Sequence, residues 1–150
     1  MKITVDEVLQ EGNWQAGPWS PRLPDEAAFR AFVQGIVERA ATQVQWRVGD
    51  AHYDSASEPQ ASVLKEAELH LAQEAMLLAA ADLADSAGDL AAPPFQGGGD
   101  DLRAAAAARR ARAEALVAPY EQATGQPGWR QPATRAGAPE PAVRPRFNAE

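Results

Sequence analysis

A chain of 150 residues fits one compact domain with room for an appended tail. Its formal charge of −7 and its pI near 4.8 argue against free-standing nucleic-acid binding, which needs a basic face to neutralise phosphates. The absence of cysteine removes disulfides, Cys-based zinc sites and thiol chemistry together.

Aromatic residues make up only 7% of the chain, and much of its 45% apolar content is alanine. Alanine favours helix but adds little burial, so a thin core is expected, and a thin core points towards partners. The opening MKITVDEVLQ has no apolar stretch of signal-peptide length. The longest apolar run, 75–81, is far short of the roughly 20 residues of a membrane span. A cytoplasmic protein is therefore expected, unless a larger particle carries it out.

Thr4 followed by Glu7 is a capping-box pattern, and Val5, Val8 and Leu9 give a short apolar face that Gly12 closes. The stretch 12–24 holds Trp14, Trp19 and three prolines, which predicts an ordered loop. Its tryptophans cover either the domain's own core or a partner. Asp25 then caps a helix in which Phe29, Phe32, Val33, Ile36, Val37, Ala40 and Val44 form one amphipathic stripe. This helix is predicted to run to about Trp46, with Gly49 as its stop. His52, Tyr53, Asp54 and the polar cluster up to Pro59 read as a loop.

A second long helix is predicted from near Pro59 to about Ser86. It carries two apolar stripes, one through Leu64, Ala67, Leu71, Ala75 and Leu78, the other through Leu69, Ala72, Met76, Ala79 and Leu83. The stripes lie roughly 140° apart. A helix apolar on two sides sits between neighbours, so this is the expected centre of the fold, with Glu66, His70 and Gln73 on its wet edge. The run 91–99 breaks the pattern, and Asp100 or Asp101 caps a third long helix ending near Pro119 or Gly125. Leu102, Leu116, Val117 and Tyr120 are placed to dock its ends, while its middle offers methyl groups and Arg103, Arg109, Arg110 and Arg112. Such a helix either packs closely on a neighbouring subunit or stands on the surface.

From Gln126 onward prolines and glycines replace apolar periodicity, which predicts an extended tail that cannot form a core. Fully stretched, it spans on the order of 80 Å. It sets Arg130, Arg135, Arg144 and Arg146 against Glu140 and Glu150, with Trp129 and Phe147 as aromatic anchors suited to a partner's pockets. The fold class expected is therefore all-α. A small bundle of three long helices and one short N-terminal helix spans 1–125, followed by an extended Pro-rich docking tail, 126–150.

The residues offer no catalytic constellation, and neither enzyme activity, cofactor nor metal is expected. His52 lies between Asp50 and Asp54 without calcium-loop spacing. Glu66 and His70 lack the second histidine of a zincin motif, and Gly97–Gly99 lacks the Lys-Ser or Lys-Thr of a phosphate loop. Arg109, Arg110 and Arg112 form a basic patch, read either as a salt-bridged helix face or as a contact surface.

The middle of the chain carries a further pattern. The first long helix ends in Val44-Gln-Trp-Arg-Val-Gly-Asp-Ala-His-Tyr53, an acidic loop follows, and the next helix opens Val63-Leu-Lys-Glu-Ala-Glu-Leu-His-Leu-Ala-Gln-Glu-Ala75. Over roughly residues 25–90 this resembles the head–tail connector (adaptor, or head-completion) proteins of long-tailed bacteriophages. Those proteins show an Arg-x-Gly-x-x-x-Tyr-like turn before a Leu-Lys-x-Ala-Glu-x-x-Leu-like run. The alanine-rich third helix and the Pro-rich tail are less typical of them.

The resemblance implies a virion protein of the neck, at the head–tail interface, that forms a homo-oligomeric ring beneath the portal, commonly of twelve copies. The ring would extend the channel through which DNA passes without specific binding, and would dock the next neck or tail protein, a stopper or tail terminator. On that reading the partner-docking residues are Trp129, Phe147, Arg130, Arg135, Arg144 and Arg146 of the tail, with Arg109, Arg110 and Arg112 of the third helix. The alternative is a stand-alone helical interaction or regulatory protein that captures one partner with its tail. A helix-turn-helix DNA binder fits less well, because the turn at 47–59 is too long and the net charge has the wrong sign.

Overall fold

The computed structural model describes residues 1–87 and 98–123, and every regular element among them is helical. Helix α1 (Val5–Gly12) opens with the capping box formed in both directions. The Thr4 hydroxyl accepts from the Glu7 N–H, and the Glu7 carboxylate accepts from the Thr4 N–H at 2.8 Å. The helix ends at Asn13, in the left-handed region at φ 50°, a conformation asparagine tolerates. Gly12 serves close approach: a methyl group there would strike the Trp14 indole and the Gln73 side chain.

The segment that follows makes one short 3-10 turn, Gly17–Trp19, and turns both tryptophans inward. The Trp19 ring lies 6.2 Å from Trp14, 5.9 Å from Phe29 and 5.5 Å from Phe32, centroid to centroid. This loop is thus a lid on the molecule's own core.

Helix α2 (Glu26–Val48) starts where Asp25 Oδ1 accepts from the Ala28 N–H at 2.7 Å. Phe29, Val33, Ile36, Val37, Ala40 and Val44 of its stripe are buried, with Phe32 half-buried, and Gly49 stops the helix at φ 85°, ψ 146°, a backbone region essentially closed to other residues. A short helix α3 (Asp50–Asp54) then occupies part of what the sequence predicts as a loop. Five residues are too few to show a period. The turn at Gly49 gives them one helical turn, which carries Tyr53 inward until it is 3% exposed.

Helix α4 (Gln60–Ala87) is the centre of the fold, contacting α1, α2 and α5 (Gly99–Ala123). Helix α5 runs antiparallel to it: Arg103 meets Asp85, Arg110 meets Glu74 and Arg112 meets Glu66. Leu102, Ala106, Ala113 and Val117 form the buried stripe of α5. Of the two placements expected for this helix, on a neighbouring subunit or on the surface, the single chain shows the second, with one face buried against α4. Its methyl groups let its backbone lie close on α4 of the same chain, making the most extensive helix–helix contact among the described residues. The core is alanine-rich, as the composition suggests, with Ala67, Ala72, Ala80, Ala81 and Ala84 fully or nearly buried on α4 alone. The tail 126–150 and the break at 91–97 lie outside the described residues.

Candidate docking surface

Two polar side chains of α4 are buried, and both hold the N-terminal segment in place. Glu68, fully buried, accepts from the N–H of Lys2 at 2.8 Å and of Ile3 at 3.2 Å through Oε2, while its Oε1 accepts from the Tyr53 hydroxyl. Burial, and then the Glu68 carboxylate beside it, push the Tyr53 phenol well above its usual value, so the ring stays a donor. The Lys2 ammonium lies 4.6 Å from the centre of the same ring. Gln73, expected on the wet edge, is instead 2% exposed. Its Oε1 accepts from Trp14 Nε1 at 2.7 Å and its Nε2 donates to the Val8 carbonyl at 2.8 Å, joining the loop and α1 to the central helix. A glutamine between the two apolar stripes of a long helix carries no signal of that inward turn.

His70, also placed on the wet edge, is half-buried between α4 and α5. Arg109 Nη1 stands 3.1 Å from its Nδ1 and Glu66 3.6 Å from its Nε2. An arginine only donates, so Nδ1 accepts and the proton of the neutral ring faces Glu66. Burial, and next the Arg109 charge, hold this imidazole below its ordinary pKa.

The three helix arginines singled out as docking residues each meet partners within the chain. Besides His70, Arg109 pairs with Glu11 at 3.5 Å. Arg110 pairs with Glu74 at 3.4 Å and Glu114 at 2.9 Å, and its guanidinium is raised in pKa chiefly by Glu114. Arg112 lies 3.7 Å from Glu66. Near the far end of α5, Arg47 of α2 meets Glu114 at 3.7 Å and Glu121 at 3.4 Å. The salt-bridged reading of the basic patch thus describes its geometry. Trp129, Arg130, Arg135, Arg144, Arg146 and Phe147 lie outside the described residues.

What the sequence does not single out is an open groove between α2 and α4. Phe32, Ile36, Ala40 and Gln43 form one wall, and Leu71, Ala75, Leu78 and Ala79 the other, with Arg39 and Asp82 at its rim; its volume is about 330 Å³. Leu78, assigned by periodicity to a core stripe, is 40% exposed here. At one end the groove continues past Phe32, Ala79 and Asp82 into a recess lined by Trp19, Arg22 and Leu23. At the other it continues past Gln43 to Trp46, Arg47 and Arg110. Trp46 is 67% exposed, the most exposed large apolar side chain among the described residues. An apolar trough with mixed charges along its rim has the character of a protein-contact surface.

Among the described residues no group of three or more histidine, aspartate or glutamate side chains is arranged to hold a metal ion, and no helix is long and apolar enough to cross a membrane. Comparison with protein-family models, with curated proteins and with solved structures finds no match to the chain.

Proposed function

We propose that the chain is a subunit of the neck of a tailed-phage virion, a head–tail adaptor that joins copies of itself in a ring beneath a portal and docks the next neck or tail protein. The observation that supports this reading is how the residues of the resemblance work together. Gly49 makes the turn that only glycine allows, Tyr53 reaches inward, and its hydroxyl donates to Glu68, the glutamate of the Leu64-Lys65-Glu66-Ala67-Glu68 run. Lys65 of the same run pairs with Glu7 of α1, and Arg47 ties α2 to α5. A pattern whose members are separately placed in sequence thus forms one fastening at the bundle's end.

The acidic body suits a channel through which DNA moves without sticking. The alanine-rich core and the open α2–α4 groove suit burial against further subunits, which in a ring are heterologous and closing contacts. In the ring, the tail with Trp129 and Phe147 reaches a neighbouring protein, and weak contacts repeated around the ring add up through avidity.

A second reading, a stand-alone helical protein that captures one partner with its tail, is favoured by the internal pairing of Arg109, Arg110 and Arg112, which serves α5 within a single chain. Solution mass separates the two. The full chain, alone and mixed with the portal-type product of a neighbouring gene, is followed by light scattering and sedimentation. A ring-sized complex with the portal supports the adaptor. A monomer or dimer that ignores the portal refutes it.

A further inference from the structure

The α2–α4 groove has an occupant within reach. We propose that in the isolated chain the C-terminal segment, residues 124–150, folds back over this groove and seats the Trp129 indole against Leu78 and Ala75. The inference stands on the groove and the length of chain beyond α5, and does not need the adaptor reading.

The point of departure is fixed by the geometry. Helix α5 ends at Ala123, two residues past Glu121, whose carboxylate lies 3.4 Å from Arg47. Arg47 itself lines the recess that continues into the groove past Gln43. The segment therefore begins at one mouth of the trough. Along α2 the distance from Arg47 to Ile36, which lines the groove together with Leu78, is about 17 Å at the helical rise per residue. The six residues from Ala123 to Trp129 span up to about 20 Å when extended. Pro127, just before the indole, favours that extended path. The length of chain up to Trp129 is thus of the same order as the run from the mouth of the groove to its middle.

Shape and charge agree with that seat. Leu78 presents its side chain 40% exposed in the centre of an apolar trough of about 330 Å³, a size suited to one large side chain with its neighbours. Residues 124–150 carry four arginines against two glutamates, a net +2, which leaves −9 on residues 1–123. Directly after Trp129 comes Arg130, and the groove's far end carries the Asp82 carboxylate, whose described cation contact is Arg103 at 3.7 Å. Covalent attachment supplies a local concentration in the millimolar range, so a modest contact suffices to keep the seat filled. A partner that draws off the tail uncovers the groove at the same time.

The chain contains no cysteine, which allows a direct test on the full-length protein. Leu78→Cys combined with Gly128→Cys is oxidised at low protein concentration, and the products are read by non-reducing electrophoresis and peptide mass spectrometry. Expected is an intrachain disulfide in the monomer, formed at least about tenfold faster than in the same variant carrying Trp129→Ala, because the indole sets the local concentration. Disulfides mainly between chains would overturn the proposal by giving the groove to a neighbouring copy's tail. Equal rates with and without Trp129 would overturn it as well. A second readout avoids the disulfide: Leu78→Asp, at a position already partly in water, should speed tryptic cleavage after Arg130 several-fold. An unchanged cleavage rate would refute the seat.

Discussion

Replacing Glu68 by alanine tests how the N-terminal segment is held. In the intact protein this carboxylate accepts three hydrogen bonds, from the N–H groups of Lys2 and Ile3 and from the Tyr53 hydroxyl. Ile3 and Tyr53 are 1% and 3% exposed, so Glu68→Ala leaves two donors buried without an acceptor. Each such orphan costs roughly 1–3 kcal/mol, and the Lys2 bond adds a smaller loss, for a total of about 3–5 kcal/mol. That is a large share of the roughly 5–15 kcal/mol that holds an ordinary domain together. Tyr53→Phe removes one bond and leaves the carboxylate its two N–H partners, so it should cost only about 1–2 kcal/mol. Urea unfolding, followed by tryptophan fluorescence and far-UV circular dichroism, measures both variants and the double variant. A Glu68→Ala loss below about 1 kcal/mol would refute the three-bond account. Strict additivity with Tyr53→Phe would refute it too, because two partners in one bond must couple.

Gln73→Leu keeps the volume but removes the acceptor of the Trp14 indole N–H and a donor to the Val8 carbonyl, and should cost about 1–3 kcal/mol by the same unfolding assay. Gly49→Ala forces a methyl-bearing residue into φ 85° and should cost about 1–3 kcal/mol, read as a lower urea midpoint with unchanged helicity. For His70 the folded-state pKa lies below the ordinary 6.5, so the unfolded chain binds the proton more readily. Its contribution to stability is therefore fully present above pH 6.5 and is lost as pH falls from there through the folded value. The midpoint difference between the parent and His70→Gln should shrink or reverse in that window; a difference that grew on acidification would contradict the sign. Substituting Arg109, Arg110 and Arg112 together by glutamine should loosen α5 by about 1–2 kcal/mol in all, since the pairs are partly exposed. Thermal melting monitored at 222 nm measures that loss.

Much of the fold is legible in the sequence because its signals are local or periodic. The Thr4–Glu7 capping box, the Asp25 cap and the Phe29–Val44 stripe each specify their element without reference to the rest of the chain. The short helix at Asp50–Asp54 is not legible, since a single turn has no period and its purpose, delivering Tyr53 to Glu68, is a contact across fifteen positions. Gln73 misleads, and Glu68 goes unnoticed, for a related reason. A polar residue on a long helix reads as solvated unless its buried partners are known, and those partners lie in a segment some 65 residues away. The exposure of Leu78 is hidden too: periodicity says which residues share a face but not whether a neighbour covers it. The α5 arginines were legible as a patch, yet their partners Glu66, Glu74 and Glu11 emerge only when α5 folds back along α4.

The adaptor reading meets its most direct test in the particle itself. Purified tailed particles from the source of this sequence, analysed by quantitative mass spectrometry against peptides of the portal protein, give the copy number of the chain per virion. An adaptor ring beneath the portal predicts the chain in the particles at a ring's worth of copies, stoichiometric with the portal subunit. Its absence from intact particles, while abundant in the lysate that produced them, would contradict the reading.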